Sequence, residues 1–131
     1  MAGKMSPKAQ MRLKTLREME DKVQHVYSLV EQFAVQKGPA AERFAQTVRR
    51  AFGKLKLELM GAGLDNLSQL AGSMELAAKR GGSQSSKLRI LREGVATIRL
   101  NLELEQRSVK TEEQAAQARE AKAKEADESS A

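Results

Sequence analysis

The chain contains no cysteine and no tryptophan, and it has a single histidine, His25. Without cysteine it can form no disulfide, no thiolate nucleophile and no cysteine-ligated metal site. His25 has no second imidazole with which to share a metal, and it neighbours the apolar positions Val23 and Val26 on a helical pattern. We therefore expect His25 to lie on the surface, and we predict a non-enzymatic protein without a cofactor.

Long apolar runs and strand patterns are also missing. No run approaches the roughly 20 apolar residues that a bilayer-spanning helix needs. Residues 1–5 precede no hydrophobic stretch, so no secretory signal and no membrane contact are predicted, and a cytoplasmic location is expected. No segment alternates apolar and polar residues, whereas Ala, Leu, Glu, Lys, Arg and Gln abound. The chain is predicted to be all-α.

The few prolines and the clustered glycines mark where helices begin and end. Ser6-Pro7 combines a capping hydroxyl with a first-turn proline, and Gly38-Pro39 ends the helix that follows. A second helix is predicted over about residues 40–60, and a third follows Gly61-Ala62-Gly63, where the phase of the apolar pattern slips. The segment 79–86 is predicted to be a loop, with a fourth helix starting near its end.

Each predicted helix carries apolar residues three or four positions apart, which places them on one side of the helix. The predicted core positions are Leu16, Met19, Val23, Val26, Val30, Phe33, Phe44, Val48, Ala51, Phe52, Leu55, Leu59, Leu64, Leu67, Ala71, Met74, Ala78, Leu88, Leu91, Val95, Ile98, Leu102 and Val109. Gly53, Gly72 and Gly94 interrupt the middle of helices, either as a tolerated cost or as points of close helix–helix approach. Four such stripes joined by short breaks predict an antiparallel four-helix bundle over residues 1–110.

Residues 111–131 form a second predicted segment, an acidic tail rich in Ala, Glu and Lys. The tail contains no Val, Ile, Leu, Met or aromatic residue, so it has high helix propensity but nothing large to bury. Helicity without packing is marginal, and the tail is predicted to be frayed or disordered.

Charge divides along the chain in the same place. Residues 1–110 carry 20 Lys and Arg against 11 Asp and Glu, a net charge of +9, whereas residues 111–131 carry a net charge of −3. Repeated cations on exposed helical faces suit phosphate backbones, because each neutralised phosphate releases a counterion. A solvated basic face without a ligand is the alternative. The predicted nucleic-acid contacts, to RNA or DNA, are Arg43, Arg49, Arg50, Lys54, Arg92 and Arg99.

The mode of binding can be narrowed from the aromatic residues. The few aromatics fall on or beside predicted core stripes, which leaves no platform on which unpaired bases could stack. We therefore expect backbone and shape recognition with strong salt dependence. The acidic tail could compete with nucleic acid for the basic face, and deleting residues 111–131 would then tighten binding.

A second, weaker apolar line on the fourth helix consists of Ile90, Leu100 and Leu104. Either this helix is central and covered on both sides, or the line is a surface for an oligomer or a protein partner. The second alternative supports a rival function, that of a protein–protein adaptor or oligomeric scaffold docking a partner helix through this line.

Short segments within residues 26–76 resemble the four-helix-bundle proteins encoded in ribosomal-RNA intervening sequences and the related accessory variability proteins of diversity-generating retroelements. The similar positions are Val26-Tyr27, Phe33, Glu42-Arg43, Gln46, Arg49-Arg50-Ala51, Ala71-Gly72-Ser73 and Glu75-Leu76. The resemblance implies a ring-like homo-oligomer and, in the retroelement branch, basic contacts to nucleic acid and a reverse transcriptase through Arg43, Arg49 and Arg50. Size and charge alone are also compatible with a CRISPR small-subunit helical protein.

Overall fold

Four helices account for nearly all of the chain. The structure is a computed structural model that describes residues 5–129, so the first four residues of the N-terminus discussed above and the last two of the tail lie outside it. The helices are α1 (Pro7–Ala34), α2 (Pro39–Gly61), α3 (Asp65–Lys79) and α4 (Gln84–Ser129), and no strand occurs within residues 5–129. The all-α prediction is confirmed.

The start of α1 is capped by its own sequence and by a distant helix. Ser6 Oγ accepts a hydrogen bond from the Ala9 amide at 3.2 Å, and Pro7 occupies the first helical position, as the sequence predicted. The Ser6 amide and hydroxyl donate to the Glu113 carboxylate of α4 at 2.6 and 3.3 Å. Since the first turn of α1 holds no acidic residue, Glu113 supplies the negative charge that favours a helix N-terminus.

A left-handed glycine separates α2 from α3. Gly63 has a φ of 76°, its amide donates to the Met60 carbonyl, and the Leu64 amide donates to the Leu59 carbonyl. This pair of bonds is the Schellman motif, in which glycine avoids the steric cost of a Cβ. Leu64 is buried at this end, so the chain turns sharply where the apolar phase slips.

The opposite end of the bundle is closed by the start of α4. Ser83 caps the helix by accepting a hydrogen bond from the Ser86 amide at 3.2 Å. The Gln84 side chain donates to the carbonyls of Phe33 and Gln36 at 2.8 Å each, both at the end of α1. Gln84 thus connects the start of α4 to the end of α1, although the sequence predicted only a loop over residues 79–86.

The helices pack in chain order around a square. α1 packs against α2 and α4, and α3 packs against the same two helices, so α2 and α4 lie at opposite corners. Short connections make sequential neighbours antiparallel. The predicted antiparallel four-helix bundle is confirmed.

The core follows the predicted stripes closely. The predicted positions are buried apart from Phe44, Ala51 and Val109, which are half-buried and pack against its edge. Near the start of α2, the buried positions are instead the small residues Ala41 and Ala45. Small side chains at those positions let α2 approach its neighbours, and the larger Phe44 ring packs against the edge of the core.

α4 continues without interruption through the predicted tail. Glu113 contacts the start of α1, so residues 114–129 extend roughly 24 Å beyond that point at about 1.5 Å per residue. Side chains 118–127 are all exposed, as expected for a segment with nothing large to bury. Within residues 5–129, no helix combines the length and apolar content needed to cross a bilayer.

Candidate nucleic-acid interface

Three of the predicted cations share the outer side of α2. Arg43, Arg50 and Lys54 are separated by seven and four residues, which returns each to nearly the same side of the helix. The buried residues of α2, such as Val48 and Phe52, lie on the opposite side. All three cations are exposed, and among the described residues none of them forms an ion pair. They therefore form one solvent-facing basic strip, the α2 strip.

Arg49 lies beside this strip and faces α3. It is half-buried and precedes Lys56 by seven residues, so the two share a side of α2. Lys56 forms an ion pair with Glu75 of α3, with Nζ and Oε1 3.6 Å apart, which shows where that side points. Arg49 is thus brought next to the α2 strip but not onto it.

Arg92 and Arg99 lie elsewhere, on the side of α4 that faces α1. The Arg92 guanidinium donates two hydrogen bonds to the Glu31 carboxylate at 2.8 and 2.9 Å. These bonds lower the pKa of Glu31 and raise that of Arg92. The Arg99 guanidinium lies 5.6 Å from the centre of the Tyr27 ring, within the range of a cation–π contact.

The six predicted contacts consequently do not form one surface. α2 and α4 occupy opposite corners of the bundle, and Arg92 is neutralised by a carboxylate of the same molecule. The sequence could not predict this separation. A seven-residue spacing places residues on one side of their own helix, but it does not determine how two helices are rotated relative to each other. Arg43, Arg50 and Lys54, with Arg49 beside them, are the members that the fold brings together.

The predicted partner line on α4 also divides. Leu100 and Leu104 are 54% and 48% exposed and lie on the side of α4 that faces solvent. Ile90 is turned toward α3, where it lines a groove with Ser73 and Met74. α4 is therefore not covered on both sides within one chain, and Leu100 and Leu104 remain open to a partner.

A groove near the α2 strip lies between α1 and α2. It has a volume of about 320 Å³, and Val26, Ala51 and Leu55 line it, with Lys54 at its border. His25 is exposed at its edge, as the sequence predicted. Within residues 5–129, no three His, Cys, Asp or Glu residues come together as they would around a metal ion.

No family model matches this chain, and neither a curated protein nor a solved structure matches it. The resemblance to intervening-sequence and retroelement proteins stays a prediction. Among the surfaces of the bundle, the α2 strip brings together three exposed cations that form no ion pair within the described residues.

The contacts that sequence reasoning missed all join residues far apart in the chain. They include Glu31 with Arg92, Glu113 with Ser6, and the Lys22–Glu58 ion pair. Glu113 sits in the segment predicted to be a free tail, where its only visible property was negative charge. A carboxylate four residues beyond Val109, the last large apolar position of α4, offers no local signal of a partner in α1.

Proposed function

We propose that this protein is a non-enzymatic accessory protein that contacts the nucleic-acid backbone through the α2 strip. The observation that carries the proposal is the exposure of Arg43, Arg50 and Lys54 on one side of a rigid helix, without a carboxylate partner among the described residues. In a body of net charge +9, these side chains are the cations best placed to meet an extended polyanion.

The dimensions of the strip suit a phosphate chain. Arg43 and Lys54 are eleven residues apart, which corresponds to about 16 Å along a helix axis. Guanidinium groups donate forked hydrogen bonds to phosphate oxygens, and a lysine ammonium adds a point charge. Arg49, half-buried on the side of α2 that faces α3, adds a further cation outside the strip.

Recognition through the backbone is favoured over the reading of bases. Phe33 and Phe52 are buried, Phe44 is half-buried, and Tyr27 is half-buried with Arg99 over its ring. None of these rings is free to stack on an unpaired base. The proposal therefore predicts little sequence preference and a steep dependence of affinity on salt. A cytoplasmic location remains part of the proposal.

The predicted competition by the acidic tail receives little support from the geometry. α4 carries residues 114–129 away from the end of the bundle where α2 finishes, whereas Arg43 lies near the beginning of α2. In addition, the extension holds nearly as many cations as carboxylates, since Arg119, Lys122 and Lys124 accompany four acidic residues. We expect the tail to have little effect on binding within one chain.

The test is a salt titration of binding to generic RNA and duplex DNA, read by fluorescence anisotropy. The variant Arg43→Glu/Arg50→Glu removes two strip cations, and Arg119→Glu/Lys122→Glu makes the same change in net charge on the distant extension. We expect the strip variant to reduce the slope of log K against log salt by about 2 on duplex DNA. The control should retain a slope close to that of the unmodified protein.

Two outcomes would overturn the proposal. One is the absence of detectable binding at low salt. The other is an equal loss in both variants, because affinity would then follow total charge and not the α2 strip.

A second candidate function is that of a protein–protein adaptor. The exposed Leu100 and Leu104 favour it, since large apolar side chains on one solvent-facing helix commonly mark an interaction surface. No binding to nucleic acid at low salt, combined with binding of a second, different protein that is lost when Leu100 is replaced by a charged residue, would support this candidate over the first.

A further inference from the structure

The solvent-facing side of α4 carries a continuous stripe of residues. The contacts of α4 with α1 and α3 show which residues face solvent. Arg92 faces α1, and Ile90 and Gly94 face α3. Between those two directions lie Glu93, Ala96, Leu100, Leu104 and Arg107, all of them exposed. The residues follow one another at intervals of three or four, so they form one line along α4, the α4 stripe.

When two α4 stripes run antiparallel, the residues that face each other are complementary in size and charge. An antiparallel copy centred on Leu100 places Leu100 against Leu100, Ala96 against Leu104, and Glu93 against Arg107. The small Ala96 leaves room for the larger Leu104, and each Glu93–Arg107 pair joins opposite charges. Because the arrangement has two-fold symmetry, the Ala96–Leu104 contact and the Glu93–Arg107 ion pair each occur twice, as in an isologous interface. The Leu100–Leu100 contact lies on the axis and occurs once.

We propose that the occupant of the α4 stripe is a second copy of this chain, which packs its α4 antiparallel to the first across a two-fold axis at Leu100. The interface comprises six apolar side chains, Ala96, Leu100 and Leu104 of each copy, and the two reciprocal Glu93–Arg107 ion pairs outside them. It covers Leu100 and Leu104, the two members of the predicted partner line that lie on the solvent-facing side of α4; Ile90, which is 40% exposed, lies toward α3.

Charge selects this arrangement from the alternatives. A parallel pairing in register brings Glu93 against Glu93 and Arg107 against Arg107, which repels at both ends. An antiparallel pairing displaced by one helical turn keeps apolar contact between Leu100 and Leu104 but places Glu93 against Thr111. Only the register centred on Leu100 combines leucine contact with opposite charges at both ends.

The dimer is independent of the α2 strip. α2 and α4 lie at opposite corners of the bundle, so pairing through α4 leaves both α2 strips facing away from the interface. One helix per copy contributes to the contact, which points to a total buried area below about 1,200 Å², the range of weak and reversible associations. Dimerisation should therefore depend on protein concentration.

The first test exchanges the charges. Glu93→Arg and Arg107→Glu each create like-charge contacts at both ends of the interface, and the double variant restores opposite charges in reversed order. By sedimentation velocity over a concentration series, we expect each single variant to weaken dimerisation by about tenfold or more. The double variant should return to within about threefold of the unmodified protein. A stability measurement on each variant confirms that the bundle is folded.

The second test exploits the absence of cysteine. Leu100→Cys gives the chain one thiol, placed next to its symmetry mate, and mild oxidation should cross-link it into a dimer. Leu76→Cys is the matched control, because Leu76 is 52% exposed but lies on the outer side of α3, away from the α4 stripe. We expect the thiol at position 100 to cross-link much faster than that at position 76.

The proposal is overturned by a monomer at all accessible concentrations, or by a ring of more than two copies. It is equally overturned if the double charge exchange stays as weak as the single variants, or if the two thiols cross-link at the same rate. None of these results affects the salt titration of the α2 strip, so each proposal can fail without the other.

Discussion

Replacement of Gly94 by alanine examines how closely α3 and α4 approach each other. Gly94 is buried on the α3 side of α4, and a Cβ added there would meet three atoms of the Met74 side chain, Sδ, Cγ and Cε. Met74 is itself 7% exposed, so its side chain has little free space into which it can move. The glycine therefore forms part of the contact between the two helices.

Two opposing effects set the magnitude. Alanine is favoured over glycine in a helix interior by about 1 kcal/mol. Overpacking a filled core typically costs about 1–3 kcal/mol. Because three Met74 atoms must move together, we expect the steric cost to exceed the gain, and Gly94→Ala should destabilise the protein by about 1 kcal/mol. Gly61→Ala, where nothing lies within 4 Å of the added Cβ, should be neutral or stabilising.

A double-mutant cycle with Met74→Ala separates the two effects. Met74→Ala alone should cost about 2–5 kcal/mol. In that background the clash is gone, and Gly94→Ala should instead stabilise by about 1 kcal/mol, giving a coupling energy of about 2 kcal/mol. Urea unfolding at one fixed protein concentration measures all four corners of the cycle. A stabilising effect of Gly94→Ala in the unmodified protein, or an equal effect in both backgrounds, would refute the reasoning.

Two further predictions concern ionisable groups that join distant helices. Glu113→Gln should reduce the free energy of unfolding by about 1 kcal/mol and accelerate hydrogen exchange of the Ala9 amide. The neighbouring, exposed Glu112 provides the control, because Glu112→Gln should do neither. Equal exchange rates of the Ala9 amide in both variants would contradict the role of Glu113 at the start of α1. Because Arg92 lowers the pKa of Glu31 below 4.5, the pair should stabilise the fold fully above that pH and lose its effect as the pH falls through the lowered pKa. An NMR titration should place the Glu31 pKa below 4.5 and show Arg92→Ala raising it, and an unchanged value would argue against the pairing.

The helices and the core were predictable because their signals are local. Ser6-Pro7 and Gly61-Ala62-Gly63 act through hydrogen bonds and backbone angles within a few residues, and both ended or began a helix where expected. The apolar stripes express the 3.6-residue period of each helix alone. Phe44 was predicted to lie in the core but is only half-buried, because α2 buries Ala41 and Ala45 near its start and leaves the ring at the edge of the core.

The candidate site was only partly predictable. Arg43, Arg50 and Lys54 share one helix, so their spacing was enough to place them on one side of it. Arg92 and Arg99 belong to another helix, and whether they join the first group depends on the corner that α4 occupies. Their engagement with Glu31 and Tyr27 rests on contacts between residues more than 60 positions apart.

The sequence by itself determined four amphipathic helices, the breaks between them, the side of each that is buried, and the excess of positive charge on the body. The tertiary structure alone decided that α2 and α4 stand at opposite corners, that Arg92 meets a carboxylate, and that Glu113 caps α1. The division has a physical reason. Helix periodicity and capping depend on neighbouring residues, whereas the rotation and axial offset of packed helices depend on the fit of all four apolar sides at once.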